Sequence, residues 1–484
     1  MKTMHLLGSI ACCSLAAATP LVGCSHATGG ARQAQHNSGA DAAAPTAPAA
    51  TSAAPPAKPP ATASAAGAPF LHPDAPRAAA LDPAAMAAAA RYSESVSGRA
   101  VLVMQRGEIV FEQYGNGWSA SRPHPLASGT KSFTGVLAMA ALADGVIPSL
   151  DAPVSDLLVE WKDDPRRSKI TVRELLTLSS GLDPNSPLLG AQGAGIRNLG
   201  SDGLVKEAIR QRLPAQTAPD RFAAALQIPA KTEPGTVFRY GGSHYYVFGA
   251  YLERALAKST RPEKSYWEYL TTRVLVPSGI GVGVDRFAPD VAGRPNLPGG
   301  GHLTAREWAK FGEFVRRGGV ATVKDADGKT HDEQVIPLAL LQQCFEPSRC
   351  NEHYGLTWWL LNGKEGEGAL VADNPIARKR AFFAPQSPRE VQAQQQRQAA
   401  QVEAVRDAQG NEIRVAMAAG AGKQRLYILP EQELVVVRFA QMDRDGEKYD
   451  DTVFLRTLLG LEKEAPAPAK AAATSSPPPS PPRP

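Results

Sequence analysis

The sequence predicts an α+β fold: an antiparallel sheet flanked by helices, with a helical segment inserted between its first and last strands. Three observations predict it. Strand-like apolar runs lie near both ends of the folded part, at 100–104 with 109–112 and at 425–428 with 434–439. Helix-period segments fill the middle. The 484-residue chain is 43% hydrophobic, enough for a large packed core and too apolar for wholesale disorder. Residues 81–462 read as globular. That span exceeds the ~250–300 residues at which a single core stops growing, so an α/β sandwich plus an all-α lobe is expected.

Each element has a local reason. Asp82-Pro83 opens a helix to about Ser93, with aspartate as cap and proline in the first turn, where its missing N–H costs nothing. The runs 100–104 and 109–112 flank Arg106-Gly107, a hairpin pattern. From Lys131 to about Asp144 the spacing predicts an amphipathic helix, with Phe133, Val136, Leu137 and Ala140 on one face and Gly145 at its stop. Further helices are expected at 171–178, 243–258 and 303–318, the last capped by Thr304. The strands 425–428 and 434–439 join through Pro430-Glu431, and a helix at 451–461 closes the fold. No internal repeat is present.

The ends differ in kind from the middle. Lys2, an apolar stretch from Leu6 to Ala18 and the small-residue site Leu21-Val22-Gly23-Cys24 predict a secretory signal over 1–23. The tetrapeptide resembles the bacterial lipobox, in which the cysteine becomes the first mature residue and carries lipid. That implies a lipid anchor on Cys24, a membrane partner through it, and a place on the periplasmic side of a bacterial envelope. Ser25 after the cysteine points to the outer membrane. Residues 24–80 and 463–484, rich in Ala, Pro, Ser and Thr, read as disordered tether and tail. A Gln-rich stretch over 385–406 reads as a surface insertion. Cys12 and Cys13 leave with the signal. Cys344 and Cys350 remain, close in sequence and in an oxidising compartment, so a small-loop disulfide is expected.

Composition excludes several functions. With 52 basic and 47 acidic residues the net charge is +5, too balanced for a dedicated nucleic-acid binder. No run of ~20 apolar residues lies in the body of the chain, which argues against a membrane-spanning bundle. The nine histidines form no zinc-ligand spacing, so no metal is expected. There is no Gly-x-Ser-x-Gly, no P-loop and no dinucleotide fingerprint, and no organic cofactor is expected. Gly363 to Gly368 reads as a hairpin loop, and Trp358-Trp359 reads as core in preference to a ligand platform.

The residues that carry chemistry begin at Ser128-Gly129-Thr130-Lys131. Ser-x-x-Lys alone is a weak signal, and a helix cap with a solvated lysine reads equally well from spacing. On a helix, however, residues three apart share a face, so the Lys131 amine can reach the Ser128 hydroxyl. A serine at a helix start lies where backbone N–H groups favour a developing anion. A hydroxyl is a poor nucleophile until a base takes its proton, and a buried lysine can stay neutral and do so.

Context sharpens this. Leu126 to Gly135, Leu-Ala-Ser-Gly-Thr-Lys-Ser-Phe-Thr-Gly, resembles the active-serine segment of the serine beta-lactamase and penicillin-binding-protein superfamily, closest to its class C and esterase-like branch. Ile170 to Thr177 with Ser179-Ser180-Gly181-Leu182, Glu233 to Tyr240, Gly299 to Trp308, Tyr354 to Trp359 and Arg425 to Arg438 resemble other segments of that branch, in order. The resemblance spans Leu81 to Leu461 and implies a beta-lactamase/transpeptidase-like fold. It implies catalysis by Ser128, Lys131 and Tyr240, the phenol sharing the base role as a phenolate favoured by the lysine ammonium. It also implies an oxyanion hole from the backbone N–H groups of Ser128 and Ala421, beside Gly420 on a strand that substrate must approach closely.

Two departures stand out. The family's Tyr-x-Asn is Tyr240-Gly241-Gly242 here. Its Lys-Thr-Gly or His-x-Gly aligns with Ala418-Ala419-Gly420, although Gly422-Lys423 lies close enough to leave the register open. Without that cation the expected substrate is a neutral ester or amide, including one drawn from the cell wall, or one whose carboxylate is held elsewhere. The alternatives are a D-amino-acid peptidase, a weak beta-lactamase, or a non-catalytic binding lipoprotein that kept the fold.

Overall fold

The computed structural model describes residues 69–71, 78–115, 117–189, 218–325, 327–361, 404–441 and 448–462. The signal segment with Cys24, the hairpin loop near 363–368, the insertion up to residue 403 and the tail after 462 lie outside the described residues.

A six-stranded antiparallel sheet organises the domain. Its spatial order is Glu108–Tyr114, Gly98–Gln105, Leu434–Ala440, Gln424–Leu429, Ala416–Gly420, Trp359–Leu360. The expected N-terminal and C-terminal strand pairs therefore meet at the centre, with Leu102 opposite Val437 and Val103 opposite Val436. Side chains alternate between two covered faces, which explains why these strands read as continuous apolar runs. Leu102, Leu426, Ile428, Val435 and Val437 point to the front. Val101, Val103, Tyr427, Leu429 and Val436 point to the back.

Helices Pro83–Ser95 and Asp451–Leu458 cover the back face. Asp82 and Asp450 cap them through their side chains, as short acidic caps do. The front face packs against helix Ala305–Arg316, which Thr304 and Glu307 start with a reciprocal capping box. There the Trp308 ring stacks on Phe439 with centroids 5.6 Å apart.

The α+β class and the antiparallel sheet are as expected. The size argument for two cores holds in another place: the helical segments share one continuous core with the front of the sheet, and the second core lies behind it. Helix Lys131–Ala143 is buried from Lys131 through Ala141, not amphipathic as its spacing suggested. Its small residues Gly135, Ala138, Ala140 and Ala141 let neighbours close in on every side, as in helices at the centre of a large core.

The expected tether also ends early. Phe70 and Leu71 are buried on the domain, with Phe70 stacked on Phe345 at 4.4 Å and the Leu71 N–H donating to Gln342 at 2.8 Å. Two large apolar residues were enough to outweigh the surrounding Ala and Pro. The insertion likewise stops short of residue 406, because Val405–Arg406 pairs with Glu412–Ile413.

Candidate active site

Ser128 lies in a 3-10 turn, Ala127–Thr130, that leads directly into helix Lys131–Ala143. Ala127, just before it, has φ +48°. A non-glycine residue held there stores strain that the surroundings must maintain. They do so with three contacts. Leu126 N–H donates to the Gly301 carbonyl at 2.8 Å, the Thr130 hydroxyl donates to Ala127 O at 2.7 Å, and Gly301 N–H donates back to that hydroxyl at 3.0 Å. The Gly299–Trp308 segment thus clamps the serine turn.

Lys131 is 4% exposed. Its Nζ lies 2.9 Å from Ser128 Oγ and 2.8 Å from the Pro298 carbonyl oxygen. The same nitrogen sits 4.9 Å from the Tyr240 ring centroid and 5.6 Å from that of Tyr245. No carboxylate compensates it in these contacts. Burial disfavours the ammonium and brings its pKa down from 10.5 to about 7. A large share of Lys131 is therefore neutral near pH 7 and able to accept the Ser128 proton. Of the two sequence readings, the solvated lysine is excluded.

Tyr240 is delivered by two interlocked segments. Lys231 N–H donates to Gly181 O at 2.7 Å, Gly235 N–H to Ser179 O at 2.8 Å, and Arg239 N–H to Leu178 O at 2.8 Å. Just beyond, the His244 ring joins Ser180 Oγ, 2.8 Å from Nδ1, to the Arg239 carbonyl, 3.0 Å from Nε2. Burial pushes this histidine down to about 4, so it is neutral. The carbonyl assigns the proton to Nε2, and the Ser180 hydroxyl then donates to Nδ1.

The Tyr240 ring packs against Trp359 with centroids 5.7 Å apart and against Lys131 Nζ at 4.9 Å. Burial raises its pKa above 10.0, and the neighbouring Ser128 and Trp359 side chains and the Arg425 charge offset only part of the rise. The expected phenolate is therefore corrected. Desolvation acts against charge on both groups, lowering the lysine and raising the tyrosine, so the resting pair is amine and phenol.

Gly420 ends the strand Ala416–Gly420, beside the serine turn. A Cβ there would fall 2.1 Å from the Leu126 carbonyl oxygen, so only glycine lets strand and turn approach this closely. Ala421 is exposed in the turn that follows. Ala418 faces the front core, and on the paired strand Arg425 turns to the back, where it meets Asp451. Lys423 also reaches toward Asp451, at 3.8 Å. Gly241, in the departed Tyr-x-Asn motif, packs where a Cβ would be 2.2 Å from the Pro184 carbonyl oxygen.

Two expectations are revised by the surroundings. Cys344 and Cys350 are both free thiols. Cys344 is buried in the core, whereas the Cys350 thiol donates to the Gly235 carbonyl at 3.2 Å. The tryptophan pair divides, because adjacent strand residues point to opposite faces. Trp358 is core, 6.0 Å from Phe311, and Trp359 packs at 5.7 Å from Tyr240. The Pro298 carbonyl and Trp359 are the contacts that sequence reasoning missed. Only the alternation of a strand hinted at Trp359.

A sheet covered on both faces, with serine, lysine and tyrosine gathered beside its front edge, is the architecture of a serine hydrolase. Residues 83–458 match the family model described as Beta-lactamase, and the chain belongs to that family. No curated protein matches it. Among solved structures it resembles a D-stereospecific amidohydrolase from a Streptomyces species, at 15% identity and TM-score 0.46, over 74% of this chain and 94% of that one. It also resembles a penicillin binding protein from Bacillus halodurans, at 17% identity and TM-score 0.45, over 73% and 94%. A third is an octameric penicillin-binding protein homologue from Pyrococcus abyssi, at 18% and 0.44, over 78% and 77%.

Proposed function

We propose that this beta-lactamase-family hydrolase cleaves a neutral ester or amide through an acyl-enzyme on Ser128. The observation that carries it is the Lys131 amine, buried without a counter-charge 2.9 Å from the Ser128 hydroxyl. Neutral Lys131 takes the hydroxyl proton as Oγ attacks the carbonyl carbon. The Ser128 and Ala421 backbone N–H groups hold the oxyanion. The bond to the leaving group breaks as that group gains a proton from the Tyr240–Lys131 pair. Water, deprotonated by the same pair, then releases the acid. The substrate is neutral at its acyl end, because Ala418 stands where a carboxylate-binding cation would.

Fluorophosphonate labelling tests the reading. The label is expected on the tryptic peptide that contains Ser128. Absence of label, or label elsewhere, returns the chain to the binding-lipoprotein alternative. p-Nitrophenyl esters, aminoacyl amides and a chromogenic cephalosporin then sort esterase, peptidase and weak lactamase.

The N-terminal sequence supports a lipid anchor on Cys24 at the periplasmic side of the outer membrane. Cys24→Ser is expected to move the protein from the membrane to the soluble envelope fraction. An unchanged membrane share would refute the anchor.

A further inference from the structure

Tyr240 is carried on a weakly constrained stretch of chain. Gly241 and Gly242 follow it, and Gly242 starts helix Ser243–Lys258 with no side-chain cap. Consecutive glycines have the most conformational freedom to lose, so the backbone on either side must hold the phenol in place. One neighbouring segment does this. Arg239 N–H donates to Leu178 O at 2.8 Å before the tyrosine, and Ser243 N–H donates to Pro184 O at 3.1 Å after it. His244 closes the gap between these two anchors. Its ring is fully buried, with Nε2 3.0 Å from the Arg239 carbonyl oxygen and Nδ1 2.8 Å from Ser180 Oγ. One side chain thus ties residue 239 to residue 244 across both glycines, and ties both to the Ser180 segment. A carbonyl only accepts, so the bridge runs one way: Ser180 donates to His244, and His244 donates to Arg239. The ring is neutral, so the bridge adds no charge near the Lys131 amine.

We propose that His244 is a positioning residue: by clamping the chain across Gly241 and Gly242 it holds the Tyr240 phenol at the Ser128–Lys131 pair, where the ring centroid lies 4.9 Å from Lys131 Nζ. This rests on the acyl-enzyme reading above, in which the Tyr240–Lys131 pair protonates the leaving group. As the bond from the acyl carbon to the leaving oxygen breaks, that oxygen takes the phenol proton. The phenolate then takes the proton that Lys131 received from Ser128, so no proton is gained or lost overall. The transfer needs the phenol within hydrogen-bonding distance of the departing atom. A tyrosine free to swing on two glycines would leave Ser128 and Lys131 in place and would lose this step alone.

The readout is dependence on the leaving group, taken through a double-mutant cycle. p-Nitrophenolate departs with little need of a proton, whereas ethoxide needs one. Tyr240→Phe is expected to lower kcat/KM on ethyl butyrate by about a hundredfold and on p-nitrophenyl butyrate far less. His244→Leu removes both bridge hydrogen bonds, and its loss on the ethyl ester is expected to exceed its loss on the nitrophenyl ester by about tenfold. In the Tyr240→Phe background the same substitution should change the ethyl ester rate by less than about twofold, because the group it positions is gone. His244→Gln, whose amide can still donate to the Arg239 carbonyl, is expected to recover most of the loss. Should the leucine variant fail to fold, Ser180→Ala, a smaller change at the other end of the bridge, runs the same cycle. Equal losses on both esters, no loss on either, an undiminished loss in the Tyr240→Phe background, or a glutamine variant no better than leucine would each overturn the positioning role while leaving the serine hydrolase intact. If Tyr240→Phe is without effect, or the wild type takes no fluorophosphonate label at Ser128, the underlying reading fails, and this one with it.

Discussion

Lys131→Met is expected to lower the fluorophosphonate labelling rate of Ser128 by about a thousandfold, within the usual contribution of a positioned base. Methionine fills the lysine's volume, so the comparison isolates the amine. The fold should not suffer. A lysine whose pKa falls from 10.5 to about 7 on folding binds fewer protons in the folded state than in the unfolded one. Between those values stability therefore rises with pH, and below about 7 the buried amine costs the fold a few kcal/mol. The methionine variant is expected to melt at or above the wild-type temperature while failing to label. Because the neutral amine is the base, wild-type labelling should rise with pH through about 7 and level off above it. A variant that labels normally, or a wild-type rate flat between pH 5 and 9, would remove Lys131 from the mechanism.

The largest effect on stability is expected behind the sheet. Asp451 accepts from Arg425 Nε at 2.6 Å and from the Tyr427 hydroxyl at 2.6 Å, and Lys423 Nζ lies 3.8 Å away. Arg438 is buried close by, 3.7 Å over the Tyr449 ring, and among the described residues donates to the neutral partners Ser93 Oγ, Lys423 O and Val96 O. Burial alone would raise the Asp451 pKa. The charges of Arg425 and Lys423 outweigh it and hold the group at about 2. Its stabilisation is thus complete above the ordinary value of 3.8 and is lost as pH falls through about 2.

Asp451→Asn leaves the buried Arg425 without its counter-charge and is expected to cost about 3–5 kcal/mol in urea unfolding. The double variant Arg425→Met with Asp451→Leu should recover most of that loss, because removing both charges also removes their desolvation cost. A single-variant cost below about 1 kcal/mol would show that the network contributes little.

Much of this molecule was legible in its residues. Asp82, Thr304 and the Arg106-Gly107 turn are local devices, and each acts where the sequence placed it. Helix Ser243–Lys258 runs between its expected ends. Less legible was anything decided by what lies on the far side of a residue. Helix Lys131–Ala143 looked two-faced because apolar spacing reports only its own residues, and its small ones hid the second buried side. The cysteines looked paired because six positions apart is close in sequence. One thiol went into the core and the other to the Gly235 turn.

By itself the sequence determined the strands, the caps, the family and the one-turn spacing that brings Ser128 to Lys131, since all of these depend on neighbours along the chain. Tertiary structure alone decided that the lysine is dry, that the tyrosine stays a phenol, and that Pro298 and Trp359 complete the site. Pro298 stands 167 residues from Lys131. Only packing can bring such groups together, and the exclusion of water that follows from packing is what shifts both protons.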